Sequence, residues 1–293
     1  MRDAAQLGQG EAGRHIAVMS NLAVPDDRPK LSSGQHGERI RALLAYGWLS
    51  ETSDSLSEAV IAAGVWKKVE RGVRLFRAGD IANDVVGLAE GVVSITSVAD
   101  FEEDALLHIC RPPTWLGWQV LTGDRFRKYT ATTKTTSWVL KVPRRALVSL
   151  LDQDSRGWAG LMPLAASYKE LGATAAEDLL IRNSEQRVIA VLLRLCGYGD
   201  PMGGPRLHSL PITQNELASA TNLSRNSVIS ILQGLEARKI IRLGKCCLVV
   251  DRALALDAMQ DASPIAGSRW REGGKQFGTR LRPAASATPQ GRS

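Results

Sequence analysis

The fold is decided by one stretch near the C-terminus, which reads ITQNELASATNLSRNSVISILQGLE from Ile212 to Glu236. Thr213 and Glu216 have the T-x-x-E spacing of a capping box, in which each side chain accepts a hydrogen bond from the other residue's backbone N–H at a helix start. Asn222 tolerates the left-handed backbone that a tight connector needs, and Ser224 is a favoured N-cap residue. These signals predict two short helices joined by a tight turn.

The second of these helices is amphipathic and is followed by a predicted hairpin. Its apolar residues recur at i, i+3, i+4 and i+7, the spacing of a half-buried helix. They are Val228, Ile231, Leu232 and Leu235. Residues 240–243 and 246–250 are apolar runs separated by Gly244-Lys245, which predicts two paired strands. Two helices and a hairpin describe a winged helix-turn-helix, whose second helix reads base edges in the major groove of DNA. The alternative is an αα-hairpin packed within another all-α domain.

Several residues of this motif have side chains suited to DNA. Arg225 can donate two hydrogen bonds to the O6 and N7 atoms of guanine, and Asn226 can pair with adenine or meet a phosphate. Thr213, Gln214 and Lys245 suit contacts to phosphates, which position a protein on DNA without specifying sequence. In the alternative fold, Arg225 is an ordinary solvated surface charge.

Upstream of this motif, residues 65–142 alternate short β-rich runs with turn residues such as Gly72, Gly79 and Gly91. Many short strands at such intervals are typical of an antiparallel sandwich or barrel. The predicted strands are Val65–Val69, Val73–Phe76, Val85–Leu88, Val92–Ser97, Ala105–Ile109 and Ser137–Val142. Helices are predicted before this region, from Glu38 to Trp48 and after Asp54.

A long helix is predicted after Pro143. Its apolar residues step by three and four, which is the spacing of a packed helix–helix seam. They are Leu161, Leu164, Tyr168, Leu171 and Ala175. Pro163 and Gly172 weaken this helix. A further helix is predicted from Ser184 to Leu195, before a linker rich in glycine and proline.

This order of elements resembles the CRP/FNR family of bacterial transcription regulators, and the resemblance covers about Arg39 to Asp257. The stretch from Ile212 to Glu236 is similar to the family pattern I-T-x-x-[ED]-[LI]-A, S-R-x-[ST]-V and L-x-x-L-E. Leu75-Phe-Arg-Ala-Gly-Asp80 and Leu88-Ala-Glu-Gly91 resemble the family's first roll strands.

The resemblance implies an α+β fold with an N-terminal antiparallel β-roll (jelly roll), a long dimerisation helix and a C-terminal winged helix-turn-helix. The dimer interface is expected at the five seam residues of the long helix. The predicted parts are a disordered arm (1–37), the roll sensor domain (38–150), the dimerisation helix (151–183), the DNA-binding domain (184–261) and a basic disordered tail (262–293).

The family's reading helix implies DNA contacts for Ser224, Arg225, Asn226, Ser227 and Ser230. Arg225 matches the family's guanine-reading arginine. Asn226 stands where glutamate is frequent, and Ser230 stands where some members carry a second arginine. The operator is therefore expected to differ from the best-known family consensus.

The sensor departs from the family's pattern for cyclic nucleotides. Members that bind them carry Gly-Glu and then Arg-Ser or Arg-Thr, where glutamate takes the ribose hydroxyl and arginine takes the cyclic phosphate. The matching positions here are Gly117-Trp118 and Lys128-Tyr129. Tryptophan cannot accept the ribose hydrogen bonds, and lysine lacks the planar fork of arginine. We expect an effector pocket at these four residues, with a ligand other than cyclic AMP. Haem bound through His108 is disfavoured, because this histidine lies in an apolar strand.

The net charge of the 293-residue chain is +7, and it is unevenly distributed. Residues 1–203 carry no net charge, residues 204–250 carry +4, residues 251–261 carry −2 and residues 262–293 carry +5. The basic winged-helix segment agrees with a nucleic-acid partner. The basic tail is either a source of nonspecific phosphate affinity or a solvated segment.

Other classes of protein are disfavoured. The histidines are scattered and no G-x-S-x-G, H-E-x-x-H or P-loop occurs, so the sequence predicts no catalysis, metal or cofactor. No apolar run is long enough to span a membrane and no signal peptide is present, which favours the cytoplasm. The cysteines do not form a disulfide framework, and a redox role stays open as an alternative to ordinary buried thiols. They are Cys110, Cys196, Cys246 and Cys247.

The sequence thus predicts a homodimeric, sequence-specific transcription regulator that binds double-stranded DNA at a palindromic operator. RNA polymerase is the expected further protein partner, and no membrane partner is expected. The alternative is a signalling module that senses a small ligand without acting through DNA. Such a module has no need of the Ser224-Arg225 element.

Overall fold

The computed structural model describes residues 33–44, 47–98, 104–154, 156–197, 207–245 and 247–262. The predictions for most of the N-terminal arm, for nearly all of the basic tail and for Cys246 lie outside these residues. Helix α1 (Ser33–Leu44) begins before the predicted start at Glu38. The prediction of disorder is therefore wrong for residues 33–37.

The roll consists of two four-stranded antiparallel sheets, with strand orders β1-β8-β3-β6 and β2-β7-β4-β5. The six predicted strands are confirmed with small shifts of their ends. Two strands, β6 and β7, are additional. The strands are β1 (Val65–Val69), β2 (Arg74–Phe76), β3 (Asp84–Glu90), β4 (Val93–Val98), β5 (Asp104–Cys110), β6 (Thr114–Leu116), β7 (Thr130–Thr133) and β8 (Ser137–Pro143).

The roll interior is filled by apolar side chains from both sheets, including Val86, Leu88, Val93 and Val139. Helices α1, α2 (Asp54–Ala63) and α3 (Arg144–Gln153) cover one side of the roll. Their apolar faces form a second cluster, in which Trp48 and Trp115 pack edge to face with ring centroids 5.4 Å apart. Gly87 in β3 leaves room for this layer, because a Cβ there would come within 3.1 Å of the Trp115 ring and 3.2 Å of Leu43.

Helix α4 (Gly157–Leu180) is the predicted long helix, and it contains Pro163 close to its start. Helix α3 ends at Gln153 and α4 begins at Gly157, so they are separate helices. Helix α5 (Ser184–Leu195) follows after a short turn, and Asn183 caps it by accepting a hydrogen bond from the Gln186 N–H. Its prediction is confirmed at both ends.

The C-terminal part contains α6 (Gln214–Thr221), α7 (Arg225–Ala237) and a three-stranded sheet of order β10-β11-β9. Strands β10 (Ile241–Leu243) and β11 (Leu248–Asp251) form the predicted hairpin. Strand β9 (Leu207–Leu210) and the closing helix α8 (Arg252–Ala262) are additional to the prediction. The core of this part also receives Leu106 and Ile109 from β5, so the roll and the winged helix share apolar contacts.

Candidate nucleic-acid interface

The turn between α6 and α7 is built by local hydrogen bonds that the sequence predicts. The Glu216 N–H donates to Thr213 Oγ1 at 3.1 Å, and the Thr213 N–H donates to Glu216 Oε2 at 2.8 Å, which completes the capping box. Asn222 ends α6 with φ 51° and ψ 50°, in the left-handed region. The chain can therefore reverse direction within three residues and start the second helix at Ser224.

Helix α7 presents its first turn to solvent. The Ser227 N–H donates to Ser224 Oγ at 3.1 Å and fixes the helix start. Val228, Leu232 and Leu235 on the opposite face are buried to 1% exposure or less. The predicted reading residues are all exposed: Ser224, Arg225, Asn226, Ser227 and Ser230. They form the accessible surface that a reading helix needs to reach base edges in a groove.

The wing lies beside this surface. The Gly244 N–H donates to the Cys247 carbonyl at 2.8 Å and closes the turn, which leaves Lys245 exposed. Thr213, Gln214, Arg225 and Lys245 line one cleft of about 400 Å³. The structure therefore brings together the predicted guanine reader and the three predicted phosphate contacts.

Two residues of the roll, Arg71 and Lys134, line the same cleft. Lys134 Nζ lies 2.5 Å from Glu216 Oε1, so the capping-box glutamate also forms an ion pair with the roll. Near it, the Leu106 N–H of β5 donates to Ser219 Oγ of α6 at 3.1 Å. The sequence did not predict these two contacts between the roll and α6, because the residues that form them are 82 and 113 positions apart in the chain.

A second set of contacts, built around a buried ion pair, connects the roll, α4 and α5. Arg194 Nε donates to Asp178 Oδ2 at 2.7 Å, and Arg194 Nη1 donates to the Leu107 carbonyl at 2.8 Å. Both side chains of the pair are at most 4% exposed. Burying two charges is tolerated when they are paired and hydrogen-bonded. Arg194 thereby holds the end of α4 and strand β5 against α5.

The expected effector pocket corresponds to a cavity of about 320 Å³ between the roll and α4. Gly117, Lys128 and Tyr129 line it as predicted, whereas Trp118 is not among its lining residues. Trp118 instead packs near Tyr168 of α4, with ring centroids 5.9 Å apart. Most of the lining is apolar and includes Phe76, Ile95, Leu107, Leu116, Val120, Leu171 and Ala175.

The buried cation among the residues lining this cavity is Arg127, which the sequence analysis did not identify. Its guanidinium forms an ion pair with Asp84, donates to the Gly117 carbonyl at 3.2 Å and stacks 4.2 Å from the Phe76 ring centroid. The predicted cation, Lys128, has a side chain that is 60% exposed and lies 3.0 Å from Asp124. Gly117 has φ 73°, and a Cβ there would collide with the Arg127 guanidinium. The Nη1 and Nη2 groups of Arg127 are thus engaged within the roll, whereas its buried Nε–H has no partner among the described residues.

His108 and Cys110 bring neutral polar groups to the cavity wall. Burial, helped by Arg194 and Arg111, lowers the pKa of His108 to about 3. Its Nδ1 atom is buried and has no hydrogen-bond partner among the described residues. Burial raises the pKa values of the Cys110 and Cys196 thiols to about 12. Both thiols are therefore protonated near neutral pH, which favours ordinary buried cysteines over a redox switch.

The predicted seam of the long helix packs against the roll of the same chain. Leu161 is 7% exposed and belongs to the core beneath the roll, and the Tyr168 hydroxyl donates to the Trp115 carbonyl at 2.9 Å. Leu171 and Ala175 line the cavity, and Leu164 packs on the same core. Within the single chain these apolar side chains pack on the core beneath the roll or line the cavity beside it. Their assignment to a dimer interface stays a prediction.

The opposite face of α4 is exposed and has its own heptad spacing. Its residues step by three and four from Ala159 to Leu180, and every one of them is exposed. They are Ala159, Met162, Ala166, Lys169, Ala173, Ala176 and Leu180. We call this set the outer stripe. Small residues at such positions allow two helix backbones to approach closely.

No group of three or more histidine, cysteine, aspartate or glutamate side chains that could hold a metal ion occurs within the described ranges. Among those same residues, none of the helices has the length and apolar character needed to cross a lipid bilayer.

An antiparallel roll, joined through a long helix to a winged helix-turn-helix with an exposed reading helix, defines a class of DNA-binding regulator. Residues 66–154 match the model of the cyclic nucleotide-binding domain, and residues 186–258 match that of the Crp-like helix-turn-helix domain. The chain belongs to the CRP/FNR family of transcription regulators, which bind DNA through the helix-turn-helix and are not enzymes.

Named relatives agree with this assignment. The chain is 27% identical to the global nitrogen regulator of Synechococcus elongatus over 194 residues, which cover 65% of this chain and 87% of the relative. It is 22% identical to the fumarate and nitrate reduction regulatory protein of Vibrio cholerae, over 64% of this chain and 75% of the relative.

Solved structures show the same fold. FixK2 from Bradyrhizobium japonicum has a TM-score of 0.57 at 15% identity, covering 66% of this chain and 96% of that chain. The c-di-GMP-responsive global regulator CLP of Xanthomonas campestris has a TM-score of 0.56 at 20% identity, covering 68% of this chain and 99% of that chain.

Proposed function

We propose that this protein is a homodimeric transcription regulator that binds a palindromic operator in the cytoplasm and engages RNA polymerase from there. The observation that carries the proposal is the exposed first turn of α7, where Arg225 shares a cleft with Lys245 of the wing and Asn226 is exposed beside it in the sequence. In this arrangement Arg225 reads guanine, while Thr213, Gln214 and Lys245 hold phosphates.

The test uses Arg225→Ala in the full-length protein. The operator is first obtained by mapping the DNA that the wild type binds across a genome. We expect the variant to lose about 1–3 kcal/mol of preference for operator over random duplex, because the bidentate contact to guanine is removed. Binding to random duplex should stay nearly unchanged, since phosphate contacts carry it.

Lys245→Ala is the matched control, because it also removes one exposed cation from the same cleft. It should weaken binding to all duplexes by a similar factor and leave sequence preference intact. An Arg225→Ala variant that loses equal affinity for every duplex would remove the base-reading role.

The outer stripe of α4 supports a dimer of this chain. Two copies packed along α4 would bury Met162 and Leu180 together with four alanines at the positions that face a partner helix in a coiled coil. A two-fold dimer places its reading helices on two half-sites one helical turn apart, which is why the operator is expected to be palindromic.

The cavity supports an effector that is not a cyclic nucleotide. A cyclic phosphate needs an unengaged cation, and the buried cation here, Arg127, is already paired with Asp84. The wall offers apolar side chains and the neutral His108 imidazole instead. A small, largely apolar ligand that can share a hydrogen bond with His108 Nδ1 fits these groups. Its binding would act by shifting the balance between arrangements of the roll and the winged helix.

A further inference from the structure

We propose that the DNA-binding surface continues from the winged helix onto the roll, where Arg71, Arg74 and Arg77 contact phosphates of the DNA that flanks each half-site. The inference rests on the proposed binding of the helix-turn-helix to an operator and extends it to a second part of the molecule. It assigns a DNA contact to the roll, which lies within residues 1–203, the part of the chain whose positive and negative charges cancel.

Two neighbouring clefts connect the reading helix to the roll. The first contains Arg225 and Lys245 from the winged helix together with Arg71 and Lys134 from the roll. The second, of about 830 Å³, contains Arg74, Arg77 and Lys134 from the roll and Asn215 from α6. Because Lys134 and Asn215 border both clefts, the surface is continuous from the wing to strand β2.

The arginines of this surface are available for a partner. Arg71, Arg74 and Arg77 are exposed, and none of them forms an ion pair with another residue in the part of the chain that the structure describes. Residues 71–77 read RGVRLFR and contain no acidic residue. Glu70 and Asp80 flank this segment, but Glu70 pairs with Lys68, and Asp80 accepts only the backbone N–H of Arg77 within it. The three guanidinium groups, one at every third residue, stay exposed.

The carboxylates in the two clefts do not cancel these charges. Glu216 is engaged by Lys134 and by the Thr213 N–H, and Asp104 accepts a weak hydrogen bond from Thr96 Oγ1 at 3.4 Å. Counting Arg225 and Lys245, five unpaired cations face one carboxylate that lacks a cationic partner among the described residues. Exposed guanidinium groups bind phosphate oxygens through paired, charge-assisted hydrogen bonds.

The DNA backbone fits this surface better than an acidic protein segment does. The turn of the roll that carries Arg71 shares a cleft with Arg225, so it lies close to a duplex seated on α7. Phosphates follow one another along this path without interruption, so a row of arginines meets a row of anions. These contacts would add affinity without adding base preference.

The experiment compares the full-length wild type with the triple variant Arg71→Ala, Arg74→Ala, Arg77→Ala. The matched control removes three exposed cations that line neither cleft, by Arg41→Ala, Lys67→Ala and Arg145→Ala. Fluorescence anisotropy measures affinity for random duplexes of about two and about four helical turns, where one turn is about 10 base pairs. Each titration is repeated over a range of salt concentrations, and circular dichroism checks that all variants are folded.

On the longer duplex, we expect the slope of log affinity against log salt to become shallower by about 0.9 for each arginine that meets a phosphate. The control variant should keep the wild-type slope, and the shorter duplex should show no difference. If the Arg71, Arg74 and Arg77 triple variant kept the control's slope, the inference would be overturned. A triple variant with that slope that nevertheless activated transcription poorly would indicate that the three arginines contact a protein partner instead. An equal change on both duplexes would contradict the flanking position. A wild type that binds neither duplex would instead overturn the proposed function itself.

Discussion

At the scale of single residues, the cavity beside the roll is defined by which of two neighbouring cations points inward. Arg127 and Lys128 are adjacent, and successive side chains near a strand point to opposite sides. The structure places Arg127 inside, against Asp84, and Lys128 outside, beside Asp124. A family motif identifies a position in the chain, but a shift of one residue exchanges the inner and outer side chains. From the sequence alone, the family motif therefore indicated Lys128, which is the neighbour of the buried cation Arg127.

This arrangement predicts that cyclic AMP does not bind. Calorimetry of the full-length protein with cyclic AMP should give no heat of binding, because Arg127 is held by Asp84 and the Gly117 carbonyl. Trp118→Glu is the informative variant, since it supplies the missing ribose acceptor but leaves Arg127 engaged. It should also fail to bind. A micromolar dissociation constant for the wild type would show that Arg127 is released to a phosphate.

At the scale of elements, local hydrogen bonds made the helix-turn-helix predictable. The capping box at Thr213, the left-handed Asn222 and the cap at Ser224 each act within a few residues. Strand β7 was not predictable in the same way, because Thr130–Thr133 lacks an alternating apolar pattern. Its register comes from distant contacts such as the hydrogen bond from Thr133 Oγ1 to the Glu70 carbonyl at 2.6 Å.

Helix α4 shows why spacing alone does not separate an interface between two copies from packing within one chain. Its two stripes, one through Leu161 and Tyr168 and one through Met162 and Lys169, both step by three and four and lie on opposite sides. The more apolar stripe was chosen as the seam, although a roll can cover apolar residues as well as a second helix can. The structure shows that the stripe through Leu161 and Tyr168 packs on the roll and that the stripe through Met162 and Lys169 is exposed.

The outer stripe gives a prediction for assembly. Ala173→Glu should convert the dimer to a monomer, because two like charges would meet where the helices approach most closely. Ser167→Glu adds the same charge at an exposed position of α4 outside the stripe and should leave the dimer intact. Light scattering coupled to size-exclusion chromatography measures both masses. A dimeric Ala173→Glu variant would move the interface away from this face.

At the scale of the whole molecule, the roll, the long helix and the winged helix are joined by buried polar contacts. Arg194 lies where α4, α5 and β5 meet, and its charge is balanced there by Asp178. Removing one partner of a buried pair leaves the other charge without compensation, which is costlier than losing an exposed pair. The stability of the molecule should therefore depend strongly on this junction.

Asp178→Ala should lower the free energy of unfolding by about 3–5 kcal/mol, as expected for a buried cation left without its carboxylate. Glu185→Ala is the matched control, because its ion pair with Arg238 has side chains that are 43% and 48% exposed. That change should cost about 0–1 kcal/mol. Urea titrations compare the two variants with the wild type. If both variants lost the same small amount of unfolding free energy, the Arg194–Asp178 pair would not be a main source of stability between the roll, α4 and α5.

The double engagement of Glu216 has a consequence for motion. If the roll and α6 separate, the carboxylate loses Lys134 but keeps its hydrogen bond from the Thr213 N–H. The helix start is therefore preserved in both arrangements, and the separated glutamate is left solvated rather than buried and alone. Separation of the two parts therefore need not unwind the start of α6, and its main cost is the exposure of the apolar contacts that Leu106 and Ile109 make with the core of the winged helix.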